Sequence, residues 1–271
     1  MSHWLDPLRQ SLADRGQRPR LFFRDDDAGW DDARLIALVD AFRSANGHVD
    51  LAAIPAAIST GLGRRLSRVV DEGCVSVHQH GWAHINHEPR GRKCEFGPSR
   101  PQAAQRRDLI RGRDVLAERL DGRAAPFFTP PWNRCTDETA RLLVQLDFKV
   151  LSADRSAPRR DVPGLSEIPV SIDWARSWSR GGRCALTADL REVLQRVTAG
   201  RDPSAIGVML HHAVMSADEL AALRELLVLL DSAPVAVITS ISGCGVRGPS
   251  RSSHQPVTDG AQADPMYGET R

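Results

Sequence analysis

Two clusters in the 271-residue chain have the residue types for chemistry: Arg24-Asp25-Asp26-Asp27, and the histidines His78, His80, His84 and His87. Three adjacent carboxylates repel one another, and beside a buried strand they are costly unless a cation offsets them. The ordinary alternative is a loop or capping cluster ahead of a helix that begins near Asp31. Successive strand residues face opposite ways, so neighbouring aspartates can take different jobs, one on a metal and one as a base. The histidine cluster holds four of the chain's nine histidines within ten residues. That density favours a metal or acid–base site over isolated structural histidines. On a continuous strand, positions 80 and 84 would lie ~13 Å apart. Gly81 can break the strand, and a helical turn would then bring His84 back beside His80. His78 and His80, two apart on one strand face, form a rival pair. One aspartate and two histidines leave coordination positions open for water and substrate. That suits zinc, with cobalt, nickel, manganese or iron as alternatives.

Three further segments carry candidates. Thr129-Pro130-Pro131-Trp132-Asn133-Arg134 follows the apolar Phe127-Phe128; Trp132 offers a wall for a sugar ring, and the plain alternative is a proline-terminated strand exit. Asp173-Trp174 follows another short apolar run, where an ordinary polar turn is the alternative. His211-His212 ends a buried apolar run and supplies a candidate general acid; the sequence leaves open which of the two faces the site.

The elements that must position these residues come from periodicity. Short apolar runs (21–23, 49–54, 74–77, 125–128, 150–151, 168–172, 206–210, 235–238) alternate with helical patterns (31–45, 62–70, 102–120, 136–146, 188–197, 216–230). Ser216 and Glu219 form a capping-box pattern, and Thr136 is a candidate N-cap. About seven strand–helix units in one alternation imply an α/β fold with a mostly parallel sheet, open or closed into a barrel. In a barrel, chemistry sits at the C-terminal ends of the strands, which is where all five clusters fall.

Bulk properties narrow the class. The formal net charge of +2 gives no case for nucleic acid or an anionic membrane. Five scattered cysteines without CxxC spacing argue against a disulfide framework or a structural zinc site. The N-terminus lacks the layout of a signal peptide, and no run approaches the ~20 apolar residues of a membrane span, so a cytoplasmic protein is expected. Residues 1–242 read as a single domain, and the Gly-, Pro- and Ser-rich stretch 243–271 as a disordered tail. The basic segment 87–101 reads as a solvated surface loop, with a substrate-selecting lid as the alternative.

In type and order, these clusters resemble the motifs of the polysaccharide deacetylase family, the NodB-homology domain of carbohydrate esterase family 4. The resemblance spans roughly residues 21–241 and is carried by short motifs. It implies a distorted (β/α) barrel of about seven parallel strands and a metal-dependent hydrolase that removes an N-acetyl group from an amino-sugar-containing substrate. Arg24-Asp25-Asp26 is similar to the first motif, making Asp25 the base and Asp26 a metal ligand. Asp27 stands where the family usually has glycine, which leaves a one-residue shift of register open. His80-x-x-x-His84 matches the motif that supplies the other two ligands. Pro131 and Trp132 match a third motif, whose arginine is replaced here by Thr129; Arg24 and Arg134 are the candidates to substitute for it. Asp173-Trp174 resembles the fourth motif, and Leu210-His211, or His211-His212 shifted by one, the fifth. By this resemblance His211 protonates the leaving amine, and a backbone N–H near Trp132 helps the metal stabilise the oxyanion. The expected partner is a small-molecule or glycoconjugate substrate bearing an N-acetyl group. A non-sugar amide, or a non-catalytic metal- or carbohydrate-binding role, is the alternative.

Overall fold

A computed structural model describes residues 3–13, 19–200, 205–232 and 236–244. Its centre is a curled parallel sheet with helices packed outside it. Strand β1 (Arg20–Ala28) lies between β2 (Val49–Ala53) and β8 (Ala205–Leu210). The sheet continues through β3 (Val75–His80), β4 (Phe127–Thr129), β5 (Val150–Leu151) and β6 (Ser166–Glu167) on one side, and β7 (Ile172–Asp173) on the other. The eight-strand order is β6-β5-β4-β3-β2-β1-β8-β7, and β9 (Val237–Ile238) adds to the start of β1. Every pairing is parallel, as the strand–helix alternation requires. The architecture is a distorted (β/α) barrel.

The helices are α1 (Asp6–Ala13), α2 (Asp32–Ser44), α3 (Thr60–Asp71), α4 (Gln102–Arg119), α5 (Asp137–Gln145), α6 (Trp174–Thr198) and α7 (Ala217–Ser232). Asp31, Ser59, Thr136 and Asp173 cap α2, α3, α5 and α6 by accepting from backbone N–H groups in the first turn. The alternation of β1 sorts its side chains. Leu21 and Phe23 enter the main core under the helices, with Leu35, Phe42, Leu223 and Leu227. Phe22 points into the barrel, beside Phe127, Val150, Val170 and Met209. A period of two therefore puts Arg24 and Asp26 inside the barrel and Asp25 on the helix side.

Several elements differ from the sequence reading. β1 runs on through the aspartates to Ala28, because Asp25 stays in register with both Leu51 and Leu210 before the pairing shifts between Asp25 and Ala28. The run 168–172 is mostly the connection from β6 to β7: Val170 makes an isolated bridge to Asp154, and only Ile172 lies in a strand. Helix α6 begins at Trp174, ahead of the expected start at residue 188, and kinks at Gly181-Gly182. Helix α1 was not expected; Leu5, Leu8 and Leu12 bury it on the main core. Segment 87–101 is not a solvated loop throughout, since Cys94 to Gly97 are buried. Ser242–Cys244 forms a 3₁₀ turn, and the rest of the expected tail lies outside the described residues.

Candidate metal centre and active site

Asp27 is the first residue to leave the regular strand. Its φ of 70° lies in the left-handed region, which aspartate tolerates better than most residues. This turn sends its carboxylate across the mouth of the barrel toward the end of β3. There, Gly81 (φ 60°) breaks the strand, and the chain returns through a non-helical turn in which His84 itself has a φ of 57°. A side chain at position 81 would meet Glu95 Oε2 at 2.1 Å and Pro131 Cγ at 2.5 Å, so only glycine fits this turn. The ring centroids of His80 and His84 end 5.3 Å apart.

Asp27, His80 and His84 form the only group of three or more potential metal ligands among the described residues, with ligand atoms within 4.8 Å of one another. Asp27 Oδ1 lies 3.3 Å from His80 Nε2 and 3.3 Å from His84 Nε2. His80 Nδ1 donates to the Thr129 carbonyl at 3.0 Å, which leaves the Nε2 lone pair for the shared point. Asp27 Oδ1 is buried without a hydrogen-bond partner. Three lone-pair donors converging on one buried spot fit a divalent cation. Burial opposes the charge on Asp27 and on His80, but their mutual attraction wins, lowering the Asp27 pKa and raising that of His80. His84 is lowered, by burial first and by the charge of His80 second.

Asp26, the ligand expected from the sequence, is not in this group. Its carboxylate faces Arg24, which donates from Nε to Oδ1 at 2.7 Å and from Nη2 to Oδ2 at 2.9 Å. Arg24 is fully buried and also donates to Ser152 Oγ at 2.8 Å and Asn133 Oδ1 at 2.7 Å. Burial works against the Asp26 anion, but Arg24, with help from His80 and His211, overrides it and holds the pKa at about 2.

Asp25, the expected base, is on the other face and fully committed. Oδ1 accepts from the His212 backbone N–H at 2.8 Å, and Oδ2 pairs with His212 Nδ1 at 2.6 Å. His212 Nε2 lies 2.6 Å from the Trp30 carbonyl. With an acceptor at each ring nitrogen, His212 carries both protons. Burial lowers its pKa, but Asp25 outweighs that and raises it to about 9. His212 is thus a buried clamp, and His211 is half-buried at the end of β8, close enough for its charge to lower the Asp26 pKa.

The other candidates separate in the same way. His78 stays outside the ligand group, with Nε2 2.8 Å from Thr129 Oγ1 and burial lowering its pKa to about 4. Trp132 packs 4.3 Å from the His84 ring centroid, and Trp30 packs 5.0 Å away. Pro131 is buried against Gly81. Trp174 does not reach the site: it is 0 % exposed, in the main core. Asp173 is the α6 N-cap and lines a cavity of about 670 Å³ that also borders Trp132, Asn133 and Met209. Arg134 lines that cavity too and donates to the Lys93 carbonyl; it does not contact Asp26. Glu95 escaped the sequence reading. From inside the segment read as a loop, it accepts from the backbone N–H groups of Trp82 and Ala83, at 3.2 and 2.9 Å, and so anchors the turn that returns His84.

No family model matches the sequence, and no curated protein does. Solved structures resemble it at low identity. A probable polysaccharide deacetylase from Pseudomonas aeruginosa PAO1 shares 14% identity with a TM-score of 0.66, over 90% of this chain and 93% of that one. The PuuE allantoinase shares 13% with a TM-score of 0.63, over 90% and 92%. A carbohydrate esterase family 4 pseudoenzyme from Bacillus anthracis shares 13% with a TM-score of 0.53, over 85% of this chain and 66% of that one. The parallel barrel, with its candidate ligands on the rim, has the fold of the carbohydrate esterase family 4 polysaccharide deacetylases.

Proposed function

We propose that this protein is a metal-dependent amide hydrolase that removes an N-acetyl group from an amino-sugar-containing compound. The observation that carries this is the division of labour along one strand: Asp27 joins His80 and His84, while Asp26, one residue earlier, is held by Arg24. Asp27, His80 and His84 would hold a divalent ion, with zinc favoured by the nitrogen-rich donor set. Such an ion supplies Lewis acidity toward water and an amide carbonyl. Asp26, ionised and oriented by Arg24, accepts the proton of the attacking water. His211 donates a proton to the departing amine nitrogen. Trp132 and Trp30 flank His84 and exclude solvent from one side of the reacting carbonyl. Relative to the sequence reading, the register moves by one: Asp26 takes the role expected of Asp25, and Asp27 that expected of Asp26.

A non-sugar amide is the second reading, supported by the similarity to the allantoinase. In the described residues, no helix is long and apolar enough to cross a membrane.

The test joins metal content to acetate release from a panel of N-acetylated sugars. Asp27→Asn should lose both the ion and the activity. Asp26→Asn should keep the ion and lose ~10²–10⁴-fold in kcat. Ion loss in Asp26→Asn with retention in Asp27→Asn would overturn the ligand set. No acetate from any N-acetyl sugar by ion-loaded protein would overturn the reaction.

A further inference from the structure

The 670 Å³ cavity beside the ligand group is rich in arginine. Arg90, Arg92, Arg134, Arg160 and Arg176 all line it. They arrive from four separate segments: the loop after β3, the loop after β4, the β5–β6 connection and the first turn of α6. The cavity also has four carboxylates, which leave its lining at a net charge of +1, and each has a partner of its own. Glu88 accepts from the Ser99 N–H and hydroxyl, Asp154 from the Ser156 N–H and Asp173 from the Arg176 N–H. Asp137 lies 3.3 Å from Arg160 Nε, and Arg160 also approaches Glu167. The other four guanidiniums pair with no carboxylate among the described residues. Arg134 Nε is buried without a hydrogen-bond partner. Burial, and then the like charge of Arg92, lower the Arg134 pKa. The four guanidiniums that form no ion pair keep donors free for an oxyanion, and several together fit a phosphate better than a carboxylate, which a single bidentate arginine satisfies.

Taking the deacetylase reading as its basis, we propose that this cavity binds a phosphate ester carried by the N-acetyl substrate, so that the protein acts on a phosphorylated amino sugar. Trp132 and Asn133 border both regions: Trp132 packs on His84, and Asn133 accepts from Arg24. A substrate spanning them would place its N-acyl group at the ion and its phosphate among the arginines.

The test compares binding of N-acetylglucosamine, its 1-phosphate and N-acetylmuramic acid to purified protein, by calorimetry, before and after chelator treatment. The 1-phosphate should bind at least about tenfold more tightly than the neutral sugar, with the preference surviving chelation. Arg176→Gln, at an exposed position that tolerates change, and Arg134→Gln should each shrink that preference several-fold. Equal binding of the sugar and its phosphate, a preference unaltered in both variants, or one abolished by chelation would each overturn the proposal. Tighter binding of the carboxylate sugar would overturn the phosphate assignment. A phosphate preference in protein that releases no acetate from any of the three would leave the cavity's role intact and count against the deacetylase reading alone.

Discussion

Replacing Arg24 by lysine keeps a positive charge beside Asp26 but removes the two-pronged grip. In the native protein, both Asp26 oxygens are held, at 2.7 and 2.9 Å, by one planar group that Ser152 and Asn133 fix in turn. The fall of the Asp26 pKa from 3.8 to about 2, against the opposing effect of burial, corresponds to about 2 kcal/mol of stabilisation. Because the folded pKa is the depressed one, this stabilisation is fully present above pH 3.8 and is lost as pH falls toward 2. Lysine keeps the charge, the larger of the two Arg24 contributions, and loses the fork. The expected cost is about 1 kcal/mol, or roughly 2–4 °C in Tm for a chain of this size. The Asp26 pKa should rise, carrying the acidic limb of the kcat/KM profile upward. A base displaced by an ångström should cost ~10²-fold in kcat. Metal content should not change, because Arg24 touches none of Asp27, His80 or His84. The assay is acetate release across pH on ion-loaded protein, with metal analysis and thermal unfolding on the same samples. Unchanged kcat, or loss of the ion, would refute the assignment of Arg24 as the residue that positions Asp26.

Two other outcomes follow from the geometry. The His212 pKa, raised from 6.5 to about 9, means that the Asp25–His212 pair contributes about 3 kcal/mol that is complete below pH 6.5 and is lost as pH rises through 9; urea unfolding at pH 7 and pH 10 should show that loss in the native protein, and a matching slope in His212→Gln would sink the idea. Gly81→Ala places a Cβ 2.1 Å from Glu95 Oε2 at a positive φ; the variant should lose about 1–3 kcal/mol in stability and bind zinc more weakly, and native zinc affinity by competition with a chelator would show that the turn does not control His84.

The alternation of strands and helices was legible because periodicity survives in short windows; it gave a mostly parallel sheet, open or closed, and the family resemblance supplied the barrel. Gly81 made a His80–His84 pairing possible on sequence, but His78–His80 stood open beside it, and the family motif chose between them. The aspartate register was not legible. Ending β1 at Phe23 hid the alternation that puts Arg24 and Asp26 on one face and Asp25 on the other, and the left-handed turn at Asp27 has no signature in residue type. Trp174 follows an aspartate, as a substrate-facing tryptophan would, yet α6 starts there and rolls it into the core. Glu95 lies among charged and small residues with no period, and only tertiary contact shows that its carboxylate is spent on the Trp82 and Ala83 N–H groups. His211 and His212 were indistinguishable in sequence because a 3₁₀ turn begins between them.

Arg24 and Asp26 ride on the same strand, two residues apart. A guanidinium borrowed from another strand would change its aim whenever the two strands shear past each other. Here, Asp26 and its guanidinium move as one body, and β2 and β8 clamp that body on both sides. Ser152, Asn133 and Met209, from three other parts of the barrel, all reach the Arg24 guanidinium, so a guanidinium on any of those segments would come near Asp26. A search for related catalytic sites should therefore look for a guanidinium near the base in space, whatever strand carries it, instead of at a fixed place in a motif.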